Sequence, residues 1–240
     1  MKATEIQTVG STVALDYRTA SVFQKYGIDF CCKGGQTIDE ACQKKGIDKD
    51  SLLAEINKAV FADNSLSDDY NSWPLDKLAD YIERKHHSYV TEQIPVLLQF
   101  LDKLCRVHGE RHPELYEINA EFKNVAEELS LHMKKEELIL FPQIKKMAAA
   151  KLNNEKYFQP GFGTVLNPIN MMISEHNTEG DRLGRIAGLS NDYTAPADGC
   201  TTYRIAFQML KDFESDLHMH IHLENNILFP KSVELENSLS

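Results

Sequence analysis

From Leu75 to Val107 apolar residues return every three or four positions, at Leu75, Leu78, Ile82, Tyr89, Ile94, Leu97, Leu101 and Leu104. That is the period of a helix burying one face, and Pro95 is the one interruption, so a long kinked helix is expected. Similar patterns run over about 113–147, 167–189 and 202–232, with short connections between them. Four long helices joined this way predict an antiparallel four-helix bundle. Upstream, 12–26, 38–45 and 49–61 read as shorter helices punctuated by Gly27 and Gly46. No segment alternates with period two, so the fold class is all-α with essentially no sheet. The polar, turn-rich stretch ADNSLSDDYNSWP separates the two regions. Accordingly, 1–62 is read as a small N-terminal helical domain, 63–74 as a linker and 75–240 as the bundle.

Composition narrows the function classes. Of 240 residues, 42% are hydrophobic and 26% charged, which are ordinary globular values. The formal net charge is −10 and no long basic run occurs, so nucleic acid is not an expected partner. No apolar stretch approaches a bilayer span, and the first residues carry acids where a signal peptide needs an apolar core. No membrane partner is expected, and the location is read as cytoplasmic. Five cysteines, two of them adjacent at Cys31 and Cys32, suit free thiols better than a disulfide framework.

The nine histidines carry the chemistry, through an internal repeat. His132-Met-Lys-Lys-Glu136-Glu-Leu-Ile-Leu-Phe-Pro142 aligns without a gap on His220-Ile-His-Leu-Glu224-Asn-Asn-Ile-Leu-Phe-Pro230. A histidine stands 45 residues before His132, at His87, and another 44 residues before His220, at His176. The spacing implies two duplicated helical hairpins. In each HxxxE pair the helix turns about 40° past one revolution and rises about 6 Å, placing imidazole and carboxylate on one face. A lone HxxxE is more often a solvated face. Two equivalent pairs aimed at a bundle core are different, because a buried carboxylate costs several kcal/mol unless a cation or hydrogen bonds compensate it. Four histidines and two glutamates suit two metal ions with open positions, and nitrogen and oxygen donors without thiolate favour iron, then manganese or zinc. In the first helix, the stripe of Leu78, Ile82, Tyr89 and Val90 puts His86 slightly nearer the core than His87. Glu83 and His86 form the only ExxH spacing, too little for a ferritin-like site that needs two.

Glu128 and Asp216 each precede a repeated histidine by four positions, and Glu175 directly precedes His176, so Glu128, Asp216 and Glu175 are candidates for orienting ligands or supplying protons. His218 and His222 lie about 200° around the helix from His220 and are expected at the surface. His108 and His112 suit packing or capping in a connection. Adjacent Cys31 and Cys32 are too close for an easy mutual disulfide and read as paired nucleophiles, with a nearby helix N-terminus expected to favour thiolate.

Several motifs together resemble the repair-of-iron-centres family, hemerythrin-like di-iron proteins with an N-terminal double-cysteine domain. They are DFCCKGG, KHHSYVTEQIP, VHGERHPEL, LSLHMKKEELILFP, SEHNTEG and HIHLENNILFP, and they cover nearly the whole chain. The resemblance implies a metal set of His87, His132, Glu136, His176, His220 and Glu224, with His87 chosen as the histidine eight positions before the proline of EQIP. It implies two non-haem iron ions with an oxo or hydroxo bridge. It further implies repair of iron-sulfur clusters after nitrosative or oxidative stress, by iron delivery or by reduction of nitric oxide to nitrous oxide. Expected partners are damaged iron-sulfur proteins and NO or O2, with a homodimer left open. A hemerythrin-like protein that binds or senses O2 or NO without catalysis is the alternative. Oxygen-carrying hemerythrins have an HxxxxD pattern, whereas Asn225 stands at that position here.

Overall fold

The computed structural model describes residues 6–61 and 69–239. The first half of the expected linker and the first five residues lie outside them. Among the described residues the chain is helical, with one isolated antiparallel bridge between Thr8 and Thr37. The helices are α1 Val9–Leu15, α2 Ala20–Lys25, α3 Ile38–Lys45, α4 Lys49–Phe61, α5 Leu75–Ile82 and α6 Ser88–His108. They continue with α7 Glu114–Lys135, α8 Phe141–Asn153, α9 Leu166–Leu189, α10 Thr201–Leu223 and α11 Phe229–Leu239. Contacts divide the chain into two units, one of Met1–Leu78, Met147–Tyr157 and His218–Ser240, the other of Ala79–Lys146 and Phe158–Leu217.

The second unit contains most of the four-helix bundle. Its core holds Leu97, Leu101 and Leu104 of α6, which the helical period marked, with Ile118, Phe122 and Val125 of α7, Leu183 and Ile186 of α9, and Phe207, Leu210 and Phe213 of α10. Each such side chain contributes roughly 1.5–3 kcal/mol by leaving water. α7 packs against α6 and α9, and Phe213 meets Phe122 edge-on at 5.3 Å. Pro95 sits inside α6 without ending it. The break in the first long helix comes earlier, in a π-turn over 83–87 where the Ser88 N–H donates to the Glu83 carbonyl five residues back.

Similar wide turns follow each HxxxE pair, at 136–140 and 224–228, where the Phe141 and Phe229 N–H groups donate to the Glu136 and Glu224 carbonyls. Pro142 and Pro230 stand one residue beyond. Proline has no N–H and its ring crowds the carbonyl four residues back, so the ordinary helical bond cannot continue there.

The first unit joins the N-terminal helices to the C-terminal ends of the chain. Its core holds Val9, Val13, Phe23, Ile38, Leu52 and Ile56. The helix expected over 12–26 divides at Asp16, which is extended at φ −155°, ψ 101° and whose side chain accepts from the Arg18 N–H. Thr37 opens α3 with a reciprocal capping box to Glu40, and Gly46 closes it in the left-handed region at φ 64°. The fourth helical pattern also runs beyond its expected end, to Leu239.

Candidate metal centre

The bundle unit brings His87, His132, Glu136 and His176 together in its interior. His87 is 2% exposed and Glu136 0%. Glu136 Oε2 lies 3.3 Å from His132 Nε2 and 3.4 Å from His87 Nε2. His176 Nε2 is 3.0 Å from His132 Nε2. The ligating atoms of His132, Glu136 and His176 all fall within 4.8 Å of one another.

The outer faces of the imidazoles fix their protons. His87 Nδ1 is 2.8 Å from Glu137 Oε1, and His132 Nδ1 is 2.8 Å from Glu175 Oε2. A carboxylate only accepts, so each Nδ1 carries a proton, and a neutral ring then presents a bare lone pair at Nε2. Two Nε2 acceptors and the Glu136 carboxyl thus face one another in a dry interior, and a cation would offset the cost of holding such groups there. Nitrogen and oxygen donors backed by carboxylates fit a metal ion, which the outer carboxylates orient and make more strongly held. The Lys135 ammonium also pairs with Glu175, and the His132 hydrogen bond is the main cause that holds that carboxyl at about 2.

In the other unit, the second half of the repeat forms an equivalent pair, with His220 Nε2 3.1 Å from Glu224 Oε1 and both side chains buried. Model matches follow the same division of motifs. The hemerythrin HHE cation binding domain matches residues 78–232, and a Domain of Unknown function (DUF542) matches 5–60. The iron-sulfur cluster repair protein YtfE of Yersinia pestis (strain Pestoides F) is 34% identical over 231 residues, covering 96% of this chain and 98% of that protein. The chain belongs to the iron-sulfur cluster repair family. YtfE proteins of Yersinia pestis bv. Antiqua (strain Angola) and Yersinia pseudotuberculosis serotype O:1b (strain IP 31758) match with the same identity and coverage.

In this member of the iron-sulfur cluster repair family, His86 and His87 are both buried but serve different neighbours. His86 Nδ1 turns to Asp216 of α10 at 3.0 Å, while His87 turns to Glu136. The π-turn inserts one residue into the helical register, which is why regular periodicity pointed to His86. Glu83 stands apart from this interior, paired with Lys145 at 3.4 Å and half exposed. Glu128 is exposed on α7, whereas Glu175 reaches His132. Glu137 escaped the sequence reading; its adjacency to the repeated glutamate was the only available signal, and Asn225 replaces it in the second half.

Two expectations require correction. His222 is 1% exposed rather than at the surface, and His218 is largely covered. The Phe30 ring packs edge-on against both, at 6.1 and 5.8 Å, because the cysteine loop lies over that face within the first unit. Burial consequently lowers the His222 pKa to about 4. Cys31, expected as a thiolate, is 3% exposed. Its pKa is pushed well up by the hydrogen bond with Cys32 and by burial. The N-terminus of α3 is already served by Thr37, Asp39 and Glu40.

The same loop is tied to the π-turn that follows Glu224. Asn225 Nδ2 donates to the Cys31 carbonyl, and Asn226 Nδ2 to that of Phe30, both at 3.3 Å. Of the remaining cysteines, Cys42 and Cys105 are buried, with Cys105 Sγ donating to the Leu115 carbonyl, and the exposed Cys200 has its Sγ 3.3 Å from His108 Nε2. His112 bridges Glu114 and Asp198. None of the five cysteines is in a disulfide. Among the described residues no helix is long and apolar enough to cross a membrane.

Proposed function

We propose that this protein repairs damaged iron-sulfur clusters by delivering iron from a two-ion site. His87, His132, Glu136, His176, His220 and Glu224 are the residues that would hold the two ions. When bound, the ions supply ferrous iron as cargo and a redox couple for small ligands. Glu136 spans two imidazoles, Glu137 and Glu175 keep the Nε2 lone pairs of His87 and His132 turned inward, and the apolar core excludes water.

The observation favouring delivery is the tie between Asn225 and Cys31, since the turn that begins at Glu224 also grips the cysteine loop. Cys31 and Cys32 then act as the transfer arm toward a damaged protein, and the cysteines without a disulfide suit the reducing cytoplasm. Iron-loaded protein mixed without oxygen with an apo ferredoxin is expected to restore its cluster when sulfide is supplied. Cys31→Ala with Cys32→Ala should abolish transfer while leaving bundle iron in place. Equal transfer by that double variant would remove the arm from the mechanism.

A second reading has the reduced pair convert NO to nitrous oxide, favoured by a donor set that leaves open positions for small ligands. Headspace gas analysis of reduced protein given NO and an electron source decides it: nitrous oxide over many turnovers supports catalysis, and consumption without that product rejects it. Binding or sensing of NO or O2 without chemistry is then the surviving alternative.

A further inference from the structure

We propose that Asp29, Cys31 and Cys32 form a second metal site, separate in its ligands from the imidazole and carboxylate site of the bundle, that takes ferrous iron in transit. Its binding chemistry stands independently, whereas the destination of the cation rests on the repair reading above.

The donors are already assembled. One atom from each residue lies within 4.8 Å of the others. Cys31 Sγ is 3.6 Å from Cys32 Sγ and 3.3 Å from Asp29 Oδ1. Asp29 Oδ1 also accepts the Cys31 and Cys32 N–H groups at 3.0 and 2.9 Å, so one carboxylate both shapes the turn and faces the sulfur. Cys31 is buried, while Asp29 and Cys32 are only partly covered, which provides an entry side to the group.

The chemistry of this grouping asks for a cation. Two neighbouring sulfurs and a carboxylate cannot all be ionised beside one another without one, so ligation by the sulfurs takes the protons of both thiols. A thiophilic divalent ion displaces those protons, and two thiolates with one carboxylate hold it while leaving a coordination position for an incoming donor. Such incomplete coordination suits exchange better than permanent storage. Asn225 and Asn226 hold the loop backbone in place, so the donors are ordered before an ion arrives. Sulfur donors also distinguish this site from the bundle set, which contains none.

Cobalt(II) is a suitable probe, because a sulfur-to-cobalt charge-transfer band reports thiolate ligation and the bundle donors cannot produce it. Metal-free, fully reduced, full-length protein titrated without oxygen should develop this band to a limit of one cobalt per chain, with release of protons. Cys31→Ser and Cys32→Ser should each diminish it. Asp29→Asn should weaken cobalt binding at this site by about tenfold or more. The Asn amide oxygen can still accept the two backbone N–H groups, so this variant tests the charged donor with the turn retained.

Absence of the band in the wild-type chain while cobalt binds elsewhere would overturn the site, and unchanged affinity in Asp29→Asn would remove Asp29 from it. A band that persists when no iron reaches an apo ferredoxin would leave the site standing and defeat the repair reading instead.

Discussion

The Asn226 side chain lies between two structures, donating to the Phe30 carbonyl at 3.3 Å while its amide nitrogen sits 3.1 Å from His222 Nδ1. It thereby links the cysteine loop to α10 through one amide. Asn226→Ala removes both contacts and leaves the buried imidazole without this neighbour. Loss of about 1–3 kcal/mol is expected, and hydrogen exchange over residues 29–36 should accelerate with little change in the α7 core. Uniform acceleration in both regions would contradict a local anchor.

Glycine at two adjacent positions should have unequal importance. A Cβ on Gly34 would come 2.5 Å from the Phe30 carbonyl and 3.0 Å from Gly10 Cα, both backbone atoms, whereas at Gly35 it would meet nothing within 4 Å. Gly34→Ala is expected to cost about 1–3 kcal/mol by overpacking, and Gly35→Ala much less. Thermal unfolding of the two variants makes the comparison; equal losses would refute the steric account.

The choice between neighbouring histidines can be read directly from metal content. His87→Ala should lose bound iron in protein prepared without oxygen, while His86→Ala, which removes the Asp216 partner and a ring contact with Tyr81, should retain it. Elemental analysis with circular dichroism on both variants separates ligand loss from unfolding. The reverse pattern would assign the interior position to His86.

Glu137 should matter to metal affinity without touching the ion. Glu137→Ala takes away the acceptor that keeps the His87 Nδ1 proton outward, and weakening of roughly 10–100-fold is expected. Competition against a chromophoric chelator measures it, and an unchanged affinity would show that His87 is oriented by packing alone.

Glu214 predicts a pH dependence away from the metal centre. Burial raises its carboxyl to about 7, with the Tyr193 hydroxyl opposing that shift. The folded state therefore holds the proton more tightly than the unfolded chain does, and stability falls as pH rises from about 4.5 toward 7. The loss is on the order of 3 kcal/mol, and Glu214→Gln should flatten that part of the profile in urea unfolding of protein at fixed metal loading. A slope unchanged by the substitution would place the titrating group elsewhere.

Much of this architecture was legible in the sequence for a simple reason. Helical period is a local property, so Leu97, Leu101 and Leu104 announced a buried stripe, and two HxxxE pairs announced two one-sided donor sets before any helix was packed. Repetition of His132, Glu136 and Pro142 at His220, Glu224 and Pro230 further identified equivalent hairpins.

Tertiary structure decided what local spacing could not. The π-turn over 83–87 turned His87 toward Glu136, and the packing of α7 against α9 carried Glu175 to His132. The cysteine loop covered His218 and His222, a contact between segments nearly two hundred residues apart in the chain, and burial beside Cys32 overrode the thiolate expected near a helix start. A sequence specifies which side chains share a helical face; only packing fixes which faces lose their water, and electrostatic energies in the interior follow from that loss.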